Sequence, residues 1–125
     1  MPAETLLEAQ RRRDRGAAAA RLGHKLLDCA ERDGAVRVAF TAEPAFCNPL
    51  GQVQGGFLSA MLEQAMFDSA HCAAGGGSDV ALLELTVQFL APARPGPILA
   101  EARVSRLGRS IAFLSGQLQD GGGTL

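Results

Sequence analysis

Residues 56–74 contain the longest hydrophobic run of the chain, and its apolar side chains would occur on nearly all sides of a helix. A helix that is apolar all round is buried by other elements instead of lying on a surface. At 1.5 Å per residue, such a helix would be roughly 28 Å long. Three glycines at residues 75–77 end the pattern. A partial polar stripe remains at Gln64, Asp68 and His71, and we expect it to meet a loop or a second subunit rather than to act in catalysis.

Alternating apolar and polar positions on both sides of this segment predict antiparallel strands. Upstream, residues 25–31 and 35–41 flank Asp33-Gly34, a dipeptide typical of hairpin turns. Downstream, the same alternation predicts three further strands, at residues 81–89, 98–105 and 111–119. Consecutive strands that wrap one apolar helix form an α+β arrangement.

The N-terminal segment has a different pattern, which predicts helix. Residues 3–15 have apolar side chains at helical spacing and a Glu8–Arg12 pair at i,i+4, and Gly23 ends this first element. We therefore divide the chain into an N-terminal helical segment, residues 1–22, and a main domain, residues 23–125. The arginines of residues 11–15 could form an anion site, but a solvated helix face is the simpler interpretation.

Composition excludes several classes of protein. The chain has 125 residues, of which 47% are hydrophobic and 20% charged, and this describes one soluble domain. A net charge of −1 without Trp or Tyr argues against a nucleic-acid partner. Three cysteines without CxxC spacing and two histidines predict neither a metal site nor a disulfide framework, and we interpret Cys47 and Cys72 as small core residues. Because no signal-peptide core and no long uncharged apolar run occur, we expect a cytoplasmic protein without membrane contact.

The strongest chemical signal is the loop NPLGQVQGG at residues 48–56, with Glu63 two turns inside the following helix. Backbone N–H groups at a helix start have no partner within the helix and can stabilise a developing oxyanion. A carboxylate held nearby in apolar surroundings can act as a base or a nucleophile. The pairing points to acyl transfer. Two simpler explanations stay open: the glycine pair only lets the chain turn, and Glu63 pairs with an arginine or faces solvent.

The run N-x-x-G-x-V-Q-G-G, with an acidic residue eight positions after its first paired glycine, resembles the signature of hotdog-fold acyl-CoA thioesterases. The likeness is to the phenylacetate-pathway and 4-hydroxybenzoyl-CoA thioesterase branch. It covers roughly residues 22–123, including FLAPA at residues 89–93 and Gly108-Arg109. The resemblance implies an antiparallel sheet around one long helix, an acyl-CoA substrate, and hydrolysis to a carboxylic acid and free CoA without a cofactor.

The resemblance also implies roles for individual residues. Glu63 would attack the thioester or activate water, Gly55 would supply the oxyanion-hole N–H, and Asn48 would orient the nucleophile or water. Gln54 stands where the family usually has histidine, so it retains an orienting role and loses a proton-transfer role. The site would lie in a homodimer, often paired into tetramers, with Glu63 of one subunit facing Gly55 of the other. Candidate substrate contacts are Gly56, Phe57, Phe67 and Arg109.

Two other functions remain open at this stage, and both use the same fold. A hydratase or dehydratase would need a histidine near the motif, and Gln54 argues against it. A non-catalytic acyl-CoA-binding protein would keep the pocket without turnover, and Glu63 argues against that.

A separate irregularity concerns the sheet. The hotdog fold has a final strand inside the sheet after the turn at residues 120–123, and because only Thr124 and Leu125 follow, we expect that strand to be missing and its neighbours to lack a partner.

Overall fold

The structure is a computed structural model that describes residues 4–75 and 79–125. A short 3₁₀ turn at Pro44–Phe46 precedes the long helix. The helices and strands follow one another as α1 (Leu6–Arg11), α2 (Gly16–Arg21), β1 (Lys25–Cys29), β2 (Val36–Ala42), α3 (Gly55–Ala73), β3 (Gly96–Leu107), β4 (Ala112–Asp120) and β5 (Gly123–Thr124).

The predicted buried helix is α3, with nineteen residues. Its Met61 and Ala65 are fully buried in the main hydrophobic core. Burying a side chain of methionine's size stabilises the fold by about 1.5–3 kcal/mol. Gly75, after the helix end, has a φ of +77°, which suits a glycine. Gly76 and Gly77, which we expected to end the helix, lie outside the described residues.

The strands form one antiparallel sheet in the order β1-β2-β3-β4-β5. In β2, Val36, Val38 and Phe40 are buried in the core that also contains the inner side of α3, while Arg37 and Thr41 are exposed. The alternation read from the sequence therefore sets which face of β2 is buried. This sheet, packed around one long helix, is the hotdog architecture that the sequence resemblance implies.

The N-terminal segment is not the single helix predicted for residues 3–15. Helix α1 has a Thr5–Glu8 capping box and ends at Arg11, and α2 begins only at Gly16. Gly16 has a φ of +83°, which interrupts helical geometry. The prediction of a solvated face for residues 11–15 is also only partly right: Arg11 and Arg12 are exposed, whereas Arg13 and Arg15 are half-buried against α3.

The strand predicted at residues 81–89 does not form. Residues 79–90 are described without helix or strand, and the large apolar side chains exposed there are Leu82, Leu83, Phe89 and Leu90. A strand is stable only when its N–H and C=O groups pair with a neighbouring strand. The alternating pattern is present in this segment, but in the part of the chain that the structure covers no strand pairs with it.

The sheet ends at a very short strand. Strand β5 has two residues and pairs only with Gln119 and Asp120 of β4, after which Leu125 donates its N–H to the Leu118 carbonyl. Towards the start of β4, the edge opposite β3 has no strand neighbour within residues 4–75 and 79–125.

Cys29 and Cys72 form a disulfide, contrary to the sequence prediction. Their Cα atoms are 6.3 Å apart, within the usual range for a disulfide, although 43 positions separate them in sequence. The β1–β2 hairpin packs on the last turns of α3, where a Cβ at Gly34 would overlap the Ser69 carbonyl oxygen. This close approach of hairpin and helix brings the two cysteines together, so Cys72 is a cross-link and not simply a small core residue.

Candidate active site

The loop before α3 is held in one conformation by its own hydrogen bonds. The Asn48 side-chain carbonyl accepts the N–H groups of Leu50 and Gln52 at 2.9 and 3.2 Å. At the other end of the loop, the Val53 N–H donates to the Ala93 carbonyl at 2.9 Å. Asn48 therefore organises the loop through Oδ1, which leaves its side-chain amide nitrogen as the group that could face a substrate or water.

The start of α3 presents backbone donors. Gln54 is the N-cap residue, its exposed side chain makes no capping hydrogen bond, and its carbonyl accepts the N–H groups of Phe57 and Leu58. The N–H groups of Gly55 and Gly56 have no hydrogen-bond partner among the described residues. The helix dipole adds partial positive charge at this end. This combination can stabilise an anion or a developing oxyanion.

Glu63 is the carboxylate predicted to act with Gly55. It is half-buried on α3, and its side chain makes no ion pair or hydrogen bond with any residue that the structure describes. The simple explanation that it pairs with an arginine is therefore not observed. Eight residues of helix separate it from Gly55, which is about 12 Å along the axis. The two backbone positions therefore lie about two turns apart on one helix.

The predicted substrate contacts are spread along α3 and beyond it. Gly56 and Phe57 adjoin Gly55, and the Phe57 ring stacks on Phe46 with centroids 4.2 Å apart. Phe67 is half-buried and lies three turns further along the helix. Arg109 is exposed in the turn between β3 and β4. The structure thus groups two of these four residues with the helix start.

Two cavities are found away from these residues. One of about 800 Å³ crosses the sheet from β1 to β4, and one of about 250 Å³ lies between the N-terminal segment and β1. Neither is lined by a predicted site residue.

The polar stripe of α3 meets a loop, as predicted, but sequence reasoning identified neither its partners in the resulting polar cluster nor its burial. Asp68 is 2% exposed; the Arg15 Nε donates to its Oδ1 at 2.7 Å, and the His24 Nε2 lies 2.5 Å from its Oδ2. Next to it, Arg13 contacts His71 at 2.8 Å. The polar stripe on α3 therefore meets the loop between α1 and α2. The only available signal was the coincidence of this stripe with an arginine-rich segment and two histidines.

The electrostatics of this cluster are dominated by positive charge. Burial, and then the charge of Arg15, lower the pKa of Arg13, although Asp68 and Asp79 act in the opposite direction. Within the described residues, this cluster included, no group of three or more His, Cys, Asp or Glu side chains could hold a metal ion. Of the helices that the structure covers, none has the length and hydrophobicity needed to cross a membrane.

Comparison with known proteins agrees with this architecture. A phenylacetic acid degradation-related protein from Ralstonia eutropha JMP134 is 30% identical to this chain in sequence, and its structure matches with a TM-score of 0.86. The match covers 96% of this chain and 92% of that chain. The PaaI protein of the E. coli phenylacetic acid degradation operon is 20% identical (TM-score 0.79; 89% and 78% covered). A Haemophilus influenzae thioesterase is 21% identical (TM-score 0.79; 98% and 83% covered). The last two likenesses support the fold alone.

Among curated protein sequences, none matches this chain. The sequence profile of the thioesterase superfamily matches residues 50–125, more than half of the chain, and the match begins within the loop that precedes α3. This match and the Ralstonia relative agree with the order of loop, helix and strands described above. The chain therefore belongs to the thioesterase superfamily.

Proposed function

We propose that this protein hydrolyses an acyl-CoA thioester to a carboxylic acid and free CoA. The observation that carries the proposal is the pair of N–H groups at the start of α3, on Gly55 and Gly56, which have no partner in the described structure. Thioester hydrolysis places negative charge on the carbonyl oxygen in its transition state. Donors that are already fixed stabilise that charge without reorganisation, and removing one typically costs about 10²–10³ in rate.

Glu63 is the carboxylate proposed to act on the carbonyl. As a base, Glu63 takes a proton from water, and the hydroxide attacks the carbonyl carbon. The resulting oxyanion accepts a hydrogen bond from the Gly55 N–H. The carbon–sulfur bond then breaks, and the thiolate of CoA takes up the proton. As a nucleophile, Glu63 attacks the carbon itself, CoA leaves, and water hydrolyses the mixed anhydride. A rapidly quenched single turnover distinguishes the routes, because only the nucleophilic one adds the mass of the acyl group to the protein.

The separation of about 12 Å between Gly55 and Glu63 along α3 favours a site shared by two copies. We propose a homodimer, alone or paired into a tetramer, in which Glu63 of one subunit faces Gly55 of the other. Asn48 and Gln54 would orient water or the nucleophile through their side-chain amides. Gly56, Phe57 and Phe67 are candidate contacts for the acyl group.

Arg109 is the proposed contact for the phosphates of CoA. It is exposed and makes no ion pair within the described residues, so its guanidinium is available to a phosphate. An Arg109→Gln variant should raise KM for an acyl-CoA and leave kcat nearly unchanged. A lower kcat with an unchanged KM would argue against this role.

The direct test is thiol release from a panel of aromatic and aliphatic acyl-CoAs. Glu63→Gln should lower kcat about 10²–10⁴-fold, the usual contribution of a positioned base. Glu31→Gln, at an exposed carboxylate in the β1–β2 turn, is the control and should leave kcat unchanged. Undiminished turnover in Glu63→Ala would sink the assignment. Tight acyl-CoA binding without any turnover by the wild type would instead identify the non-catalytic binding protein.

A further inference from the structure

A second site lies between the N-terminal segment and the main domain. A cavity of about 250 Å³ opens there, and its lining residues are Arg11, Arg15, His24, Lys25 and Leu26. Four of these five side chains carry nitrogen donors, and three of them are positively charged at neutral pH. None of these five residues is among the candidate active-site residues, which lie on α3, in the loop before it and in the turn after β3.

The arginines of this cavity are held in place by the protein. The Arg11 Nε donates to the Leu26 carbonyl at 2.9 Å, and the two terminal NH₂ groups of Arg11 bond to no described residue. Arg15 is fixed at three nitrogens, which bond Asp68, the Arg13 carbonyl and the Gln10 carbonyl. A guanidinium whose position is already fixed loses little side-chain entropy when it binds an anion.

The charge around the cavity is not balanced. The carboxylate that contacts the basic residues of this cavity is Asp68, and it already pairs with both Arg15 and His24. Lys25 has no ion-pair partner in the described parts of the chain. The positive charge of Arg15 is also one cause of the lowered pKa of Arg13, after burial. A bound anion would therefore relieve repulsion between like charges as well as accept hydrogen bonds.

We propose that this cavity binds the phosphate or pyrophosphate group of a small anion through the terminal nitrogens of Arg11 and the ammonium group of Lys25. The fork of a guanidinium matches two phosphate oxygens, and a lysine adds a point charge. Pockets for drug-sized ligands enclose about 300–1,000 Å³, so this smaller cavity suits one phosphorylated group rather than a whole acyl-CoA. Bound there, the anion links α1 to β1 and strengthens the attachment of the N-terminal segment.

Binding would be measured by isothermal titration calorimetry and thermal unfolding with inorganic phosphate, pyrophosphate and adenosine diphosphate, each compared with chloride at equal ionic strength. The wild type should bind at least one of them saturably and unfold at a higher temperature in its presence. Tighter binding of adenosine diphosphate than of pyrophosphate would indicate a nucleotide as the source of the group. The reverse order would indicate a free anion.

Matched variants identify the site. Arg11→Gln and Lys25→Gln should each weaken binding about tenfold, the effect of losing one partly exposed charge-assisted contact. Lys25→Gln removes no hydrogen bond of the fold, so it tests the site even if Arg11→Gln is unstable. Arg106→Gln, at an exposed position on β3, is the control. No saturable binding beyond that of chloride, or equal binding by Lys25→Gln and the wild type, would overturn the proposal, and neither result bears on thioester hydrolysis.

Discussion

The ring of Phe89 lies so close to Gly55 that a Cβ at position 55 would come 2.9 Å from the ring Cζ. Phe89 belongs to the unpaired segment at residues 79–90 and is itself 56% exposed. Glycine at position 55 therefore has a packing reason as well as the proposed catalytic one. The two reasons make different predictions, because an alanine keeps the backbone N–H but adds the methyl group.

Gly55→Ala should cost at most about 1 kcal/mol, because the tip of the exposed Phe89 ring can move away from the added methyl group and alanine favours the helix. Phe89→Ala removes the ring, so the double variant should lose less stability than the sum of the two single changes. Urea unfolding of the wild type, both single variants and the double variant measures this coupling. Gly56→Ala is the matched control, since a Cβ there meets nothing within 4 Å, and it should stabilise the helix slightly. Strictly additive effects of the two changes would contradict the contact.

The shared site predicts complementation between two inactive variants. Gly55→Pro removes the backbone N–H of the oxyanion side and Glu63→Gln the carboxylate side, so a mixed dimer has one site with both defects and one intact site. Subunits mixed at random should recover about a quarter of wild-type thiol release, because half of the dimers are mixed. Each variant refolded alone is the control. Activity no greater than the average of the two variants would mean that both groups act within one chain.

Much of the fold follows from local patterns. The apolar run defines α3, because a helix without a polar face has to be buried, and the alternation at Val36, Val38 and Phe40 gives the buried face of β2. The sequence of residues 48–56 likewise predicts the helix start, since its glycines and the backbone donors beside them can be identified without knowledge of the fold. These predictions needed no knowledge of distant partners.

Apart from the early end of α1, the incorrect predictions depend on contacts between distant parts of the chain. Residues 81–89 have the pattern of a strand, but a strand requires a neighbour that the pattern cannot supply. Cys29 and Cys72 meet only because the hairpin packs on α3. The partners of Asp68 come from a loop more than 50 positions earlier and from His24, so its burial could not be predicted from its own helix.

The disulfide predicts a stability that depends on redox conditions. Removing a native cross-link typically costs about 2–5 kcal/mol, because the open chain gains conformational freedom. We expect dithiothreitol to lower the unfolding temperature of the wild type and to leave that of Cys29→Ser, already lowered, unchanged. Cys47→Ser, at the free and half-buried cysteine, should respond to dithiothreitol as the wild type does. An unfolding temperature of the wild type that does not change with the reductant would contradict the cross-link. If the temperature does fall, the protein would be less stable in the reducing cytoplasm expected from the sequence.

The buried pair of Arg15 and Asp68 should stabilise the protein far more than a surface pair does. The side chains of Arg15 and Asp68 are 11% and 2% exposed, whereas those of Arg37 and Asp28 are 51% and 59% exposed. Arg15→Met leaves Asp68 buried with only His24 beside it, and breaking a buried pair in this way costs about 3–5 kcal/mol. Arg37→Met removes an exposed pair and should cost at most about 1 kcal/mol. Urea unfolding compares the two variants directly. Equal losses would mean that water reaches Asp68 and that the N-terminal segment is not held to α3 by this ion pair.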